Sequence, residues 1–546
     1  MLHAALAWRS SDEDRWSEWA FGDAQTLLAV RHWERDGWIA SKLLFVPQGH
    51  APVIRSLDEP GLRQHAHGID PATSPVGPRL RYTHYPAGYL VPYALLARAG
   101  LDSAPAARQV ALAFSTAALV LMFLLFARLV GTGSALVAVV FYGLSHGHVG
   151  FASSLANQPL DDALRFGFML AVVRSTAPGP EGPSNRASIV VWLLGFALSL
   201  VSLDSVLFAF VWLVGWDLLQ GRGLQWRRWL AYACAPAAAH ALQVAQNVWY
   251  LGVPDAVSDI VGTFASRHVT ALTGARHVDP FVAAGVMLDH LLRPSFLIDA
   301  SLLTYVVHRR YLLDEDDPAL PRPGLVALMA VAGLAFPLVL PMAALMPYQG
   351  RQLGPFAAAL VAGVAASLAH EARRFRSGRP GAAGRGSAIY LVVAGGLLIA
   401  LGVTLVMGAG RALVAPGPDL PDAPLARQIA ALQTAHAAVI MDRGGFVSFQ
   451  SIRWAPGHPQ ISPLIEVLAG RRPVLCFDDP AALARDLGLL RQRAAAPFSP
   501  VVVARDEETM ARIVRALVAA RVIRGRPPVV ELWHGRRAAA LPACLE

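Results

Sequence analysis

The chain contains uncharged stretches longer than a soluble helix needs, and these constrain its fold more than any other feature. Val110 to Ala127 has no Asp, Glu, Lys or Arg, and neither has Leu129 to Leu160. Trp229–Val253, Pro323–Gly350, Gln352–Glu371 (charged only at its end) and Ser387–Gly410 follow. A helix crosses the hydrocarbon core of a bilayer with about 20 apolar residues, so each of these runs is a candidate span. Shorter or interrupted candidates lie at Pro159–Val173, Ala187–Val201, Val206–Trp216 and Phe296–Val307. Together they make about ten spans. Only 16% of residues are charged, against about 25% in soluble domains. The expected fold is therefore mostly α, a polytopic transmembrane helical bundle.

The formal charge of +9 does not point to nucleic acid. Lys42 is the only lysine, and the arginines gather in short loops between the apolar runs. Arg128, then Arg222, Arg227 and Arg228, then Arg309 and Arg310, then Arg373, Arg374, Arg376, Arg379 and Arg385 mark alternate loops. Positive loops stay in the cytoplasm. That places the segment before Val110, the loop near Asn157, the loop at Arg351 and everything after Gly410 outside.

Three regions follow. Residues 1–105 form an outer loop region with amphipathic helices and no span. They contain the amphipathic stretch Thr26–Ser41, a loop rich in Pro, Gly and His (Pro47–Pro78) and an aromatic segment (Tyr82–Tyr93). Residues 106–410 are the membrane core. Residues 416–546 open on a Pro-rich linker and then alternate strand and helix patterns. The strand candidates are Ala438–Met441, Pro473–Phe477, Pro500–Ala504 and Val529–Leu532. The helix candidates are Leu425–Ala435, Pro480–Arg493 and Glu507–Val522. Such alternation reads as a small C-terminal α/β domain, here outside the membrane. Cys476 and Cys544 permit a disulfide there; unpaired thiols are the plainer state of a domain with its own core. An outer N-terminal region needs a means of export, and residues 1–20 are too charged to span, so an upstream apolar segment is expected.

Carboxylates at or within a bilayer are costly, and so they mark chemistry. Asp23 stands in Phe21-Gly22-Asp23-Ala24, and Asp161 and Asp162 stand at the mouth of a span. Two acidic sites on one face suit a divalent metal ion or a substrate hydroxyl; the plainer role for each is capping a helix. Tyr82-Thr83-His84-Tyr85-Pro86-Ala87-Gly88-Tyr89 is the most distinctive string. Its rings suit a membrane interface or stacking on sugars, but an interface does not explain His84. Arg351, in the polar break Tyr348-Gln349-Gly350-Arg351-Gln352, offers a planar donor set for a lipid phosphate or simply snorkels. His240, Gln243 and Asn247 share one face of the Trp229 run, as helix–helix hydrogen-bonding groups would. Phosphate-binding loops, dinucleotide fingerprints and Cys-x-x-Cys spacing are absent from the sequence.

These strings resemble the integral-membrane glycosyltransferases of the GT-C fold, in particular the bacterial group related to protein mannosyltransferases and lipid A sugar transferases. Asp23 matches that family's first acidic position, Leu27–Trp38 the helix after it, and Tyr82-Thr83-His84-Tyr85-Pro86 the aromatic string. Asp161 and Asp162 lie where the second acidic site is expected. Ala24 departs from the Asp-Glu pair common at the first motif, and the family's first span has no counterpart. The resemblance implies transfer of a sugar from a polyprenyl-phosphate donor to a glycan, lipid or protein acceptor on the outer face of a bacterial cytoplasmic membrane. Asp23, Asp161 and Asp162 would then be catalytic, and His84, Tyr82, Tyr85 and Arg351 would bind substrate. A divalent metal is an open option, and membrane lipid is a partner where nucleic acid is not. The rival readings are a transporter or flippase that makes no bond, suited by the Pro-broken spans, and a non-catalytic member of the same fold.

Overall fold

The structure is a computed structural model. It describes residues 2–12, 16–17, 20–45, 69–70, 79–80, 83, 85–176, 185–261, 285, 323–339, 348–376, 384–414, 437–442, 467, 474–477, 499–503 and 507–519. The chain divides into two units, residues 1–18, 105–243 and 264–416 in the first and 19–104, 244–263 and 417–546 in the second.

The first unit is helical. Its elements are α1 (Leu2–Ser10) and, after the second unit's α2 (Ala20–Asp36) and α3 (Val91–Arg98), α4 (Ala104–Val130), α5 (Thr132–Leu144), α6 (His146–Val149), α7 (Gln158–Ser175), α8 (Asn185–Val201) and α9 (Asp204–Leu219). Most of α10 (Trp226–Leu251), then α11 (Pro323–Val339), α12 (Gly354–Arg376) and α13 (Gly384–Val414) follow among its described residues. Among the described residues, three stretches are long and apolar enough to cross a membrane, Ala104–Val130, Gly350–Arg376 and Ala388–Leu413, and Thr132–Leu144, Ser188–Val201 and Pro323–Val339 are shorter apolar helices. The Leu129–Leu160 run breaks into α5, α6 and the start of α7. The candidate at Phe296–Val307 lies outside the described residues.

A helix that is apolar all round must be buried or face lipid. On α13, Ala394, Leu401 and Leu405 are buried, while Val392, Ile399, Val403 and Val406 are exposed. Both faces are apolar, as a lipid-facing helix requires. By contrast α12 is central, burying Ala357 through Val364 nearly without exception. The core is aromatic, with Phe126, Tyr142, Phe166, Phe168, Phe208 and Trp212 fully enclosed. At the start of α4 the buried Arg108 donates to the Asp12 carbonyl at 2.7 Å and lies 4.8 Å from the Trp16 ring. This ties the segment after α1 to the bundle, and Leu6 of α1 packs with Leu112, Val149, Ala152 and Ala409.

In the second unit, α2 packs against α3. The amphipathic stretch expected from Thr26 begins six residues earlier, at Ala20, and ends at Asp36. A tight turn follows in which Lys42 (φ 59°) and Leu43 (φ 55°) both adopt left-handed backbone. Non-glycine residues pay for that conformation with strain. It is held by Lys42 N–H on the Ile39 carbonyl at 2.9 Å, Leu43 N–H on the Trp38 carbonyl at 3.1 Å, and Trp33 Nε1 on the Leu44 carbonyl at 2.8 Å. The Lys42 ammonium lies 4.2 Å from the centre of the Trp249 ring. Strands β1 (Ile69–Asp70) and β2 (Arg79–Leu80) pair antiparallel.

Toward the C-terminus, β3 (Ala437–Asp442), β4 (Val474–Phe477) and β5 (Ser499–Val503) form a parallel sheet in the order β4-β3-β5. Helix α14 (Glu507–Ala519) follows β5. These coincide with four of the strand and helix patterns in the sequence. The patterns at Leu425–Ala435, Pro480–Arg493 and Val529–Leu532 lie outside the described residues, as does Cys544.

Candidate active site

Asp161 and Asp162 lie in the first unit, in the first turn of α7. The helix starts at Gln158 with Asn157 before it, so Asp161 is inside the helix and does not cap it. Both carboxylates are buried. Arg165, one turn on, is i+4 from Asp161 and i+3 from Asp162, the spacing at which helical side chains meet. Its Nη2 donates to Asp162 Oδ1, its Nη1 is 3.7 Å from Asp161 Oδ2, and its guanidinium lies 5.4 Å from the centre of the Phe208 ring.

Arg351 reaches the same pair from the turn before α12. Its Nη1 is 2.8 Å from Asp162 Oδ2 and also donates to the Gln158 carbonyl at 2.9 Å. Nε donates to the Tyr348 carbonyl at 3.1 Å, and Nη2 is 3.8 Å from Asp161 Oδ2. The guanidinium expected to meet a lipid phosphate lies on Asp162 and is buried rather than snorkelling. Tyr142 closes the cluster, its hydroxyl donating to Asp162 Oδ2 at 3.0 Å. Gly354 must be glycine, because a Cβ there would run into the Tyr142 ring.

Two carboxylates and two guanidiniums neutralise one another. That lets four ionic groups sit among apolar helices, where one left unpaired would cost several kcal/mol. The same balance argues against a metal at this place. A divalent ion between Asp161 and Asp162 would have to displace or repel two guanidiniums already holding them. Among the described residues no three His, Cys, Asp or Glu side chains are placed to hold a metal ion.

Asp23 lies in the second unit, in the first turn of α2, and is wholly buried, as is Ala24. The helix begins at Ala20, so Asp23 is past the capping position. Tyr93, on the neighbouring α3, has a buried hydroxyl with no hydrogen-bond partner among the described residues. Burial first, and the Asp23 charge second, push its pKa well above the ordinary tyrosine value. Tyr93 therefore stays protonated in the field of the Asp23 carboxylate.

Of the aromatic string, Tyr82 and His84 lie outside the described residues. Tyr85 is half-buried and Thr83 is buried. The Thr83 hydroxyl donates to Asp259 Oδ2 at 2.6 Å, and the Thr83 carbonyl accepts from Asn247 Nδ2 at 3.1 Å. Of the residues not expected from the sequence, Arg165 had a readable signal, its spacing from the two aspartates. Tyr142, Tyr93 and Asp259 had none, because their partners come from other parts of the chain.

No protein-family model matches the chain, and no curated protein matches it in sequence. Among solved structures it is similar to ArnT from Cupriavidus metallidurans bound to undecaprenyl phosphate, at 13% identity and TM-score 0.48, covering 94% of this chain and 93% of that one. It is also similar to the Archaeoglobus fulgidus oligosaccharyltransferase tethered to an acceptor peptide, at 13% identity and TM-score 0.47, covering 95% and 70%. Both are membrane glycosyltransferases of the GT-C fold, the family that the Asp23 and Tyr82–Pro86 strings resemble. At TM-scores below 0.5 neither assigns a residue or a reaction here.

Proposed function

We propose that the chain transfers a sugar from a polyprenyl-phosphate carrier to an acceptor hydroxyl on the outer face of the cytoplasmic membrane. The supporting observation is the Asp23 carboxylate, fully buried in the first turn of α2 and past the capping position. Inside the helix the carboxylate is not its cap, which favours the catalytic role over the capping one. Asp23 takes the acceptor proton as the acceptor oxygen bonds to the anomeric carbon. The bond from that carbon to the phosphate breaks, and the electron pair leaves with the polyprenyl phosphate. His84, Tyr82 and Tyr85 meet the sugar and its phosphate. Asp161 and Asp162 brace the core through their ion pairs with Arg165 and Arg351. The loop arginines support a multi-pass chain with residues 416–546 outside.

A transporter is the second reading, and the buried Asp–Arg cluster favours it, since intramembrane charges line ion and substrate paths. Against it, the four charges cancel, leaving none to couple to a transported ion.

The test is transfer from a synthetic polyprenyl-phosphate sugar in membranes, with mass spectrometry of envelope glycans from cells with and without the gene. Asp23→Asn keeps the shape but cannot accept the proton. The expected loss is on the order of 10²-fold or more, with unchanged amounts of protein in the membrane. An Asp23→Asn chain as active as wild type removes Asp23 from the reaction. Glycans unchanged by deletion, with no transfer in vitro, would sink the transferase reading in favour of a non-catalytic or transporting role.

A further inference from the structure

The turn between α9 and α10 gathers arginines against the end of α7. Gly221 (φ 67°) and Gly223 (φ 68°) both adopt left-handed backbone, which glycine takes without strain. Arg222, held between them, folds back and donates to the Thr176 carbonyl. Arg228, in the first turn of α10, donates to Ser175 Oγ at 2.9 Å and lies 3.0 Å from Asp217 Oδ1. The buried Asp217 also accepts from Trp229 Nε1 at 3.0 Å. Arg222 and Arg228 are thus fixed side by side, close enough to repel each other.

Arg228 balances Asp217, and the rest of the positive charge is left over. Among the described residues Arg174, Arg222 and Arg227 meet no carboxylate, and Arg174 and Arg227 are exposed. The guanidinium of Arg227 lies 5.4 Å from the centre of the Trp226 ring. Beside these charges Leu224 is 78% exposed and Trp226 60% exposed. Arginines that only mark a loop as cytoplasmic would spread apart in water. Here two are bonded to one helix end, with an indole and a leucine turned outward next to them. Cations beside exposed apolar side chains suit a molecule with an anionic head and acyl chains. A free phosphate would use the arginines and gain nothing from Leu224 and Trp226.

We infer that this corner binds an anionic phospholipid, with Arg222 and Arg227 on the headgroup phosphate and Leu224 and Trp226 against the start of the acyl chains. A tryptophan at the level of the headgroups is in its preferred place. The site stands apart from the transferase reading and needs only the membrane.

The experiment titrates the full-length protein in detergent with phosphatidylglycerol and, separately, with phosphatidylcholine. Bound lipid is counted by native mass spectrometry. Wild type should retain phosphatidylglycerol in preference to phosphatidylcholine. Arg227→Gln, at an exposed side chain, should weaken phosphatidylglycerol by about fivefold, the scale of one arginine near a charged lipid surface. Adding Arg222→Gln should bring the loss to about 25-fold, with phosphatidylcholine unchanged. Arg373→Gln with Arg376→Gln removes two exposed arginines of α12 and should change little. Equal retention of both lipids by wild type overturns the site, as does an unchanged affinity in Arg227→Gln or an equal loss in the α12 variant. The rival occupant within the chain is the acidic run Asp314-Glu315-Asp316-Asp317. Neutralising it with Asp314→Asn, Glu315→Gln, Asp316→Asn and Asp317→Asn should leave lipid affinity unchanged. A gain of about tenfold or more would assign the arginines to that run and overturn the lipid site.

Discussion

Arg351 Nη1 lies 2.8 Å from Asp162 Oδ2, and the same nitrogen donates to the Gln158 carbonyl at 2.9 Å. One guanidinium thus ties the turn before α12 to both a side chain and the backbone at the start of α7. Removing either charge alone leaves the other buried with an incomplete set of partners.

Arg351→Gln and Asp162→Asn should therefore each destabilise the protein by about 3–5 kcal/mol, the usual cost of breaking a buried pair from one side. The double variant restores neutrality and should recover part of that loss. Thermal unfolding of the three purified variants measures the coupling. Strict additivity would show that the pair is not coupled. Arg351→Lys should behave like a partial loss, because a single ammonium cannot reach Asp162, Gln158 and Tyr348 at once.

Gly354→Ala is expected to destabilise the protein by about 1–3 kcal/mol through overpacking. The added methyl meets the Tyr142 ring, so the ring must move and its hydrogen bond to Asp162 must lengthen. Tyr142→Phe in the same background provides the control. If Gly354→Ala acts through that bond, it should cost less once the hydroxyl is gone.

His3 Nε2 and His148 Nε2 face each other at 3.2 Å, and His3 Nδ1 meets the Thr116 hydroxyl at 2.8 Å. Two imidazole nitrogens at that distance have room for one proton between them. Burial lowers the pKa of His3, which lies in α1 outside the apolar runs. The unfolded chain keeps the ordinary value near 6.5. Above it both states are neutral and the pair adds no pH dependence. As the pH falls below about 6.5 the unfolded state binds protons that the folded state refuses, so stability falls. The unfolding midpoint should drop between pH 7.5 and 5.5, and the drop should shrink in His148→Gln. An equal drop in both proteins would exclude the pair as its source.

Orientation can be read by cysteine labelling with an impermeant reagent, after the chain's three cysteines, Cys234, Cys476 and Cys544, are replaced by Ser. Asp102→Cys should label in intact cells and Arg374→Cys only after lysis, both positions being exposed. The reverse pattern would overturn the outer placement of Asp23.

The long helices were legible because apolar runs of that length have few other folds open to them. Strands β3, β4 and β5 were legible from short apolar runs between helical patterns. The contact of Arg351 with Asp162 was not. In the sequence Arg351 is one arginine beside a polar break, and only the return of the chain shows that Asp162 claims it. The helix start near Asp23 was placed too late. Polar Gly22 and Asp23 read as a boundary, whereas tertiary burial extends the helix over them. Arg165 could have been paired with Asp161 and Asp162 by spacing alone, because that pairing lies within one helix.

The contact between Lys42 and Trp249 has a practical use. Lys42 carries the single side-chain amine in 546 residues, and its ammonium rests 4.2 Å from the centre of an indole ring. An amine-reactive fluorophore should therefore attach to one side chain, next to a natural quencher, without any engineered cysteine. Brightness of that label would report whether the left-handed turn and the end of α10 stay together as lipid is added.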